Sequence, residues 1–258
     1  MGLLEVHNVS KIFGGLIAIN DLTFEVREGQ IFGIIGPNGA GKTTMFNCIT
    51  GVHTPEKGKI IWQNQDITGM PAHKIANLGI IRTFQTIRLF GEMSVAENVI
   101  SGRHFISKQR WWHGIIHTPF YAKDERENWK QTKKYLEMFD LMKYAKLPAK
   151  SQPYGIQKKV EIARAMATEP KLLILDEPAA GLNENETKDL LELIRKIRDM
   201  GITILLIEHD MDLVMNVTDY IIVLNFGKKI SEGTPEIVQN DPAVIEAYLG
   251  SEDEENEK

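Results

Sequence analysis

The sequence predicts an α/β protein: a core built on a parallel sheet with a phosphate-binding turn, an antiparallel β subdomain at its N-terminal end, and an α-helical subdomain inserted into it. Three observations predict this. The first is Gly36-Pro37-Asn38-Gly39-Ala40-Gly41-Lys42-Thr43-Thr44, set between the apolar run Ile31–Ile35 and the apolar start of a helix at Met45–Ile49. The second is a pair of later apolar runs, Leu172–Leu175 and Ile202–Ile207, which end in Asp176-Glu177-Pro178 and in Glu208-His209-Asp210. Apolar runs of this length, the second broken only by Thr203, suit strands buried on both faces of a parallel sheet. The third is a change of character from Ser94 to Lys150, where helical periodicity takes over and no convincing strand remains.

The turn meets a strict pattern of Gly, four residues, Gly, Lys and then Ser or Thr, filled here by Gly36, Gly41, Lys42 and Thr43. Its glycines let the backbone wrap a triphosphate closely, so that successive N–H groups and the N-terminus of the next helix point at the anion. Lys42 adds a point charge between the β and γ phosphates, and the Thr43 hydroxyl suits Mg²⁺. The competing interpretation is a glycine-rich strand-to-helix turn without a ligand. The strand before it and the helix after it supply the context that favours phosphate binding.

Taken in order, Leu4–Val9 and Leu22–Val26 alternate apolar and polar residues and predict two half-buried strands of a β subdomain. Between them, Phe13 stands beside Gly14-Gly15, and is either an aromatic that stacks on a nucleotide base or a core residue at a strand end. Pro55–Gly58 is a turn, Lys59–Trp62 and Gln65–Ile67 a further hairpin, and Pro71–Leu78 a short helix. Ile80–Gln85 reads as a strand that ends in a polar side chain able to reach a metal or an attacking water. In the helical stretch, Trp111-Trp112 near Gly114 and Pro119 form either a partner surface or packing within the lobe. His113 and His117 share i, i+4 spacing, but Gly114 interrupts and no carboxylate completes a ligand set.

Tyr154–Met166 is a turn opening into an amphipathic helix, apolar at 156, 160, 163 and 166, and its N-terminus is a second anion-site candidate. Lys158-Lys159 reads most simply as a solvated face. Two carboxylates then follow the buried run at 172–175, where ligands of open α/β sheets bind. Asn185–Met200 predicts a charged helix, Ile221–Leu224 and Lys228–Ser231 strands, and Pro235–Gln239 and Pro242–Leu249 helices; residues 251–258 are an acidic tail read as disordered.

Composition narrows the function. With 258 residues and 43% hydrophobic content, the chain can bury a substantial core. No apolar run approaches the roughly 20 residues needed to span a bilayer, and the N-terminus lacks the features of a secretory signal. A cytoplasmic protein is therefore expected. The single cysteine, Cys48, excludes an internal disulfide and suits packing on the loop helix. A net charge of −5 argues against a nucleic-acid partner.

The order of phosphate loop, Gln85, turn and helix at 154–166, Leu172–Pro178 and His209 resembles the ATP-binding cassette ATPases along almost the whole chain. Arg82-Thr83-Phe84-Gln85, Glu177–Asn183 and Glu208-His209-Asp210-Met211 are similar more narrowly to the ATPases of bacterial branched-chain amino-acid importers, as are Gly233–Glu236 and Ala247–Gly250. The resemblance implies one ATPase domain over 1–250, with a nucleotide-binding core at 1–93 and 169–250 and a helical subdomain at 94–168.

It also implies roles. Phe13 would stack on adenine, and residues Gly36, Pro37, Asn38, Gly39, Ala40, Gly41, Lys42, Thr43 and Thr44 would hold the phosphates of ATP. Thr43, Gln85 and Asp176 would attend Mg²⁺, Glu177 would activate water, and His209 would contact the γ-phosphate. Tyr154 and Gly155 would complete the site of a second ATPase subunit, paralogous or identical. The family's signature turn usually reads Leu-Ser-Gly-Gly-Gln; here Gln152-Pro153-Tyr154-Gly155-Ile156 keeps only the final glycine, leaving helix-terminus amides and the Gln152 side chain as substitute donors. Asn183 replaces the Asp usual in the following loop. The implied partners are transmembrane permease subunits and, indirectly, an extracytoplasmic substrate-binding protein, with the chain peripheral on the inner face of the cell membrane. A lipid exporter and a poorly hydrolysing regulatory cassette share this architecture.

Overall fold

The computed structural model describes residues 2–83, 85–106 and 119–248. Strands β1 (Leu4–Phe13) and β2 (Leu16–Val26) form a long antiparallel hairpin, longer than the sequence pattern predicts, so that Lys11, Ile12 and Phe13 belong to a strand rather than to a connection. β3 (Ile31–Ile35) leads through the glycine-rich turn into α1 (Lys42–Ile49). β4 (Lys57–Trp62) and β5 (Gln65–Asp66) make the second hairpin, which pairs with β1 to give an antiparallel sheet of order β2-β1-β4-β5.

α2 (Ala72–Asn77) precedes β6 (Ile80–Arg82). β6 stops three residues short of Gln85: after Thr83 N–H donates to Ile174 O, the chain leaves the sheet, and Gln85 sits exposed in a bend. The helical region holds α3 (Val95–Ile106), α4 (Pro119–Met138), two single 3₁₀ turns and α5 (Tyr154–Met166). β7 (Leu172–Asp176), α6 (Glu184–Asp199), β8 (Thr203–Ile207), α7 (Met211–Val217), β9 (Tyr220–Asn225), β10 (Lys228–Gly233) and α8 (Pro235–Gln239) follow, and a further helix covers 242–248. The Trp111-Trp112 pair, His113, His117 and the acidic tail lie outside the described residues.

The second sheet has the order β10-β9-β3-β8-β7-β6, with β9, β3, β8, β7 and β6 parallel and β10 antiparallel at the edge. β3, β7 and β8 are buried along their whole length, as their apolar runs require. Side chains alternate between two cores. Phe32, Ile34, Leu172, Ile174, Leu205 and Ile207 face α1 and the antiparallel sheet, together with Met45, Phe46, Cys48 and Trp62. Ile31, Ile35, Leu173, Leu175, Ile204 and Leu206 face the other core, with residues of α5, α6 and α7. The hairpins and the helical region thus pack on opposite faces of one sheet. The C-terminal ends of β3, β7 and β8, side by side in the order, form the edge where polar residues emerge.

Candidate functional site

The turn after β3 is shaped for close approach. Gly36 has φ +148°, and a Cβ there would stand 2.0 Å from Leu224 O, so only glycine fits. Gly41 is the N-cap of α1; no side chain caps the helix and its first turn holds no acid. That leaves its N-terminal amides directed at whatever occupies the turn, a donor set that matches phosphate oxygens. Lys42 is buried, and its Nζ donates to Gly36 O at 2.6 Å and Pro37 O at 2.9 Å. Burial lowers the lysine pKa, while Glu177 and Asp176 act to raise it. Thr43 is exposed, with its hydroxyl free of the core. Cys48, buried on α1, has its thiol pushed up to about 11 by desolvation and is inert packing, as its position suggests.

The carboxylates converge on this turn from β7. Asp176 ends the strand, and its Oδ2 accepts from Arg82 Nη2 at 2.5 Å. Glu177 follows at φ +45°, a left-handed conformation uncommon for a residue with a Cβ; Glu177 N–H is held by Ile207 O at 3.0 Å. Glu177 Oε2 accepts from Gln85 Nε2 at 2.7 Å and lies 4.0 Å from His209 Nδ1. Gln85, Glu177 and His209, distant in sequence, therefore form one cluster.

The flanking residues of Glu208-His209-Asp210 turn in opposite directions. Glu208 is buried and its Oε1 accepts from Ala179 N–H at 2.8 Å, tying the loop after Glu177 to the end of β8; desolvation raises its pKa. Asp210 caps α7 through Leu213 N–H at 3.1 Å. His209, between them, keeps a side chain 60% exposed and presents its ring to the cluster.

Phe13 is 41% exposed at the end of β1, in edge contact with His53 at 5.1 Å between centroids and with Lys11 Nζ 4.9 Å from its ring. The core interpretation of Phe13 is thereby set aside. Tyr154, 43% exposed, opens α5, and a Cβ on the neighbouring Gly155 would stand 2.4 Å from Glu186 Oε1. The turn at 153–155 is thus packed on the start of α6. There Asn183 is the N-cap: its Oδ1 accepts from Asn185 and Glu186 N–H, while Glu186 Oε2 accepts from Asn183 N–H. Asn caps a helix about as well as Asp, so the departure at this position preserves the local fold.

Two expectations fail. Gln152 is not available as a substitute donor, because it is 8% exposed and its Nε2 is committed to Pro148 O at 3.0 Å and Ser151 Oγ at 2.9 Å. Lys158 is not on a solvated face: it is 3% exposed and donates to Gln85 O at 3.1 Å, its pKa lowered by burial despite surrounding carboxylates. Sequence reasoning also missed Arg82 and Glu208 as members of the site. A charged residue closing a short apolar strand, Arg82 after Ile80-Ile81, and an acid directly after the buried run to Ile207 were the available signals.

A glycine turn with an uncapped helix behind it, a buried lysine and strand-end carboxylates together define a nucleotide-binding α/β protein. Comparison with known proteins carries this further. Residues 19–180 match the family described as "ABC transporter", and residues 228–254 match "Branched-chain amino acid ATP-binding cassette transporter". The chain is 47% identical over 249 residues to the high-affinity branched-chain amino acid transport ATP-binding protein BraF of Pseudomonas aeruginosa, covering 96% of this chain and 98% of that one. It is 46% identical over the same share to the high-affinity branched-chain amino acid transport ATP-binding protein LivG of Escherichia coli. Among solved structures it resembles the ADP conformation of an ATP-binding cassette of an ABC transporter, with TM-score 0.84, 34% identity, and 97% and 99% of the two chains covered. The chain belongs to the ATP-binding cassette transporter family.

Proposed function

We propose that the chain is the ATP-hydrolysing subunit of an importer of branched-chain or related amino acids, working with separate permease subunits on the inner face of the membrane. The observation that carries this is the 47% identity, over 96% of the chain, to a high-affinity branched-chain amino acid transport ATP-binding protein, joined by the match at 228–254. No helix among the described residues is long and apolar enough to cross a membrane, consistent with a subunit that acts through others.

In this reading the turn Gly36–Thr44 and the amides of α1 hold the triphosphate, Lys42 leaves its carbonyl partners to meet the β and γ phosphates, and Phe13 lies against the adenine. Glu177 takes a proton from the attacking water, with Gln85 and His209 placing it, since both already touch or border its carboxylate. Thr43, Gln85 and Asp176 would hold Mg²⁺. Among the described residues no group of three or more His, Cys, Asp or Glu side chains is arranged to hold a metal ion by itself; Asp176, Thr43 and Gln85 offer one carboxylate, a hydroxyl and an amide, a donor set suited to an ion that arrives on phosphate oxygens. Such an ion would offset charge on the transferring phosphoryl group.

Tyr154 and Gly155 would complete the site of a second ATPase subunit, and residues 94–168 would pass the resulting motion to the permease. A periplasmic or surface binding protein would deliver the cargo. The test is reconstitution of the chain with its permease subunits, a second ATPase subunit and a binding protein in proteoliposomes. ATP-dependent uptake of labelled leucine, isoleucine or valine is expected, and uptake of an unrelated substrate alone would overturn the cargo assignment.

A further inference from the structure

Arg82 joins three elements beneath the phosphate turn. Its Nη2 donates to Asp176 Oδ2 at 2.5 Å, its Nη1 to Asn47 Oδ1 at 2.7 Å, and its Cζ lies 5.8 Å from the centroid of the Phe46 ring. Asn47 and Phe46 belong to α1, Arg82 closes β6 and Asp176 closes β7. Both charged side chains are buried, at 9% and 7% exposure. Among the described residues, Oδ1 of the same carboxylate accepts no hydrogen bond.

A buried ion pair contributes little net stability, because desolvation of both charges offsets their attraction. Its position is more telling. Two carboxylates, Asp176 and Glu177, stand behind a turn shaped for phosphates, in the field of Lys42 and of the buried Lys158, but neither lysine is hydrogen-bonded to Asp176. Arg82 offsets the charge of one of them and pins it through Oδ2, so that Arg82 and a further ligand can share the carboxylate.

We propose that Arg82 is a positioning residue for the divalent ion of the nucleotide site: it fixes the Asp176 carboxylate and masks its charge, and so sets how strongly metal and nucleotide binding are coupled. This rests on the reading of Asp176 as the metal-associated acid. Without Arg82, the bare carboxylate repels the triphosphate when no divalent ion is present, and attracts the ion more strongly when one is. Both effects widen the gap between affinities with and without Mg²⁺. A guanidinium also bridges Asn47 and Asp176 at once, which the point charge of a lysine does not reproduce.

The experiment measures the affinity of a fluorescent ATP analogue for the full chain in Mg²⁺ and in EDTA, and takes the ratio. Arg82→Met should raise the ratio at least tenfold, mainly through loss of binding in EDTA, and Arg82→Lys at least threefold. Asp176→Asn should lower it below wild type, and the double variant should match Asp176→Asn within twofold. An Arg82→Met ratio within twofold of wild type, while Asp176→Asn lowers it, overturns the proposal and leaves Arg82 as packing. A double variant differing more than fivefold from Asp176→Asn also overturns it, since Arg82 would then act on the nucleotide directly. Should Arg82→Met fail to fold, Arg82→Lys decides, and a wild-type ratio there counts against the proposal. A ratio unchanged in Asp176→Asn instead removes the reading of Asp176 on which the proposal stands.

Discussion

Phe13→Ala separates base stacking from packing in one variant. The ring is 41% exposed and touches His53 edge-on, while Lys11 beside it is already held by Glu56 Oε1 at 2.6 Å and Thr54 O at 2.9 Å. Truncating a fully buried Phe costs about 3–5 kcal/mol. With nearly half of the ring in solvent and one aromatic neighbour, we expect about 1 kcal/mol, a melting shift of about 2–4 °C for a domain of this size. Stacking of an aromatic on a nucleobase contributes about 1–3 kcal/mol, so ATP affinity should fall about 5- to 150-fold. The assay is displacement of a fluorescent nucleotide by ATP and, in parallel, by inorganic triphosphate, which has no base. ATP should displace less well from the variant, triphosphate equally well from both proteins, and Phe13→Trp should retain ATP affinity. An equal loss for triphosphate, or unchanged ATP affinity, would refute the stacking argument; a fall in melting temperature above about 10 °C would return Phe13 to the core.

Three further outcomes are expected. Glu177→Gln keeps an oxygen for Gln85 Nε2 but loses the base, so single-turnover hydrolysis should fall by about 10²-fold or more with ATP affinity within about threefold; hydrolysis at the wild-type rate would remove Glu177 from the role. Asn183→Ala should cost about 1 kcal/mol through loss of the cap, read as a lowered urea midpoint, whereas Asn183→Asp should cost nothing because the acceptor oxygen and a favourable charge remain at the helix N-terminus. For Glu208, desolvation raises the folded-state pKa above the ordinary glutamate value, with Lys158, His209 and Glu177 as its charged neighbours. Its contribution is therefore fully present below the unfolded pKa and lost as pH rises through the folded one. The stability difference between Glu208→Gln and wild type should grow in favour of the variant across that window, and a difference independent of pH would contradict the assignment.

What the sequence makes legible follows from how local the signal is. The turn at 36–44 announces itself because its chemistry requires fixed residue types at fixed spacing, and β3, β7 and β8 because strands buried on both faces are predominantly apolar, with Thr203 and Asp176 only at strand ends. Strand ends are less legible. β6 stops at Arg82 because its last ladder bond is made by Thr83 N–H to Ile174 O, a fact of the neighbouring strand and not of the residues 83–85 themselves. The same holds for single side chains. Lys158 and Lys159 look alike in sequence, yet Lys159 reaches Asp189 on α6 while Lys158 is buried against Gln85 O. Only the packing of α5 on the sheet distinguishes them. Phe13 is the converse: an aromatic in a strand reads as core unless its pleat position shows that it ends a hairpin beyond the sheet's covered part.

The connection between the helical region and the carboxylate cluster runs through one residue, Gln85. Lys158 on α5 donates to Gln85 O, and the side chain of the same Gln85 donates to Glu177 Oε2. Three residues on, Arg88 N–H is held by Glu161 Oε1 and Arg88 O accepts from Arg164 Nη2, both again on α5. Residues 85–88 are thus gripped by one helix at both ends and touch the site through a single side chain. A shift of α5 relative to the sheet must therefore either carry residues 85–88 along, drawing Gln85 off Glu177, or break hydrogen bonds to a lysine whose burial makes them costly to lose. Breaking them would take from a desolvated cation its carbonyl acceptor, Gln85 O, leaving it only the field of Glu161, Glu208, Asp176 and Glu177, so the first course costs less. The carboxylate of Glu177 would then gain or lose its Gln85 contact according to where α5 stands, which places control of that residue in a helix that contributes nothing to the phosphate turn.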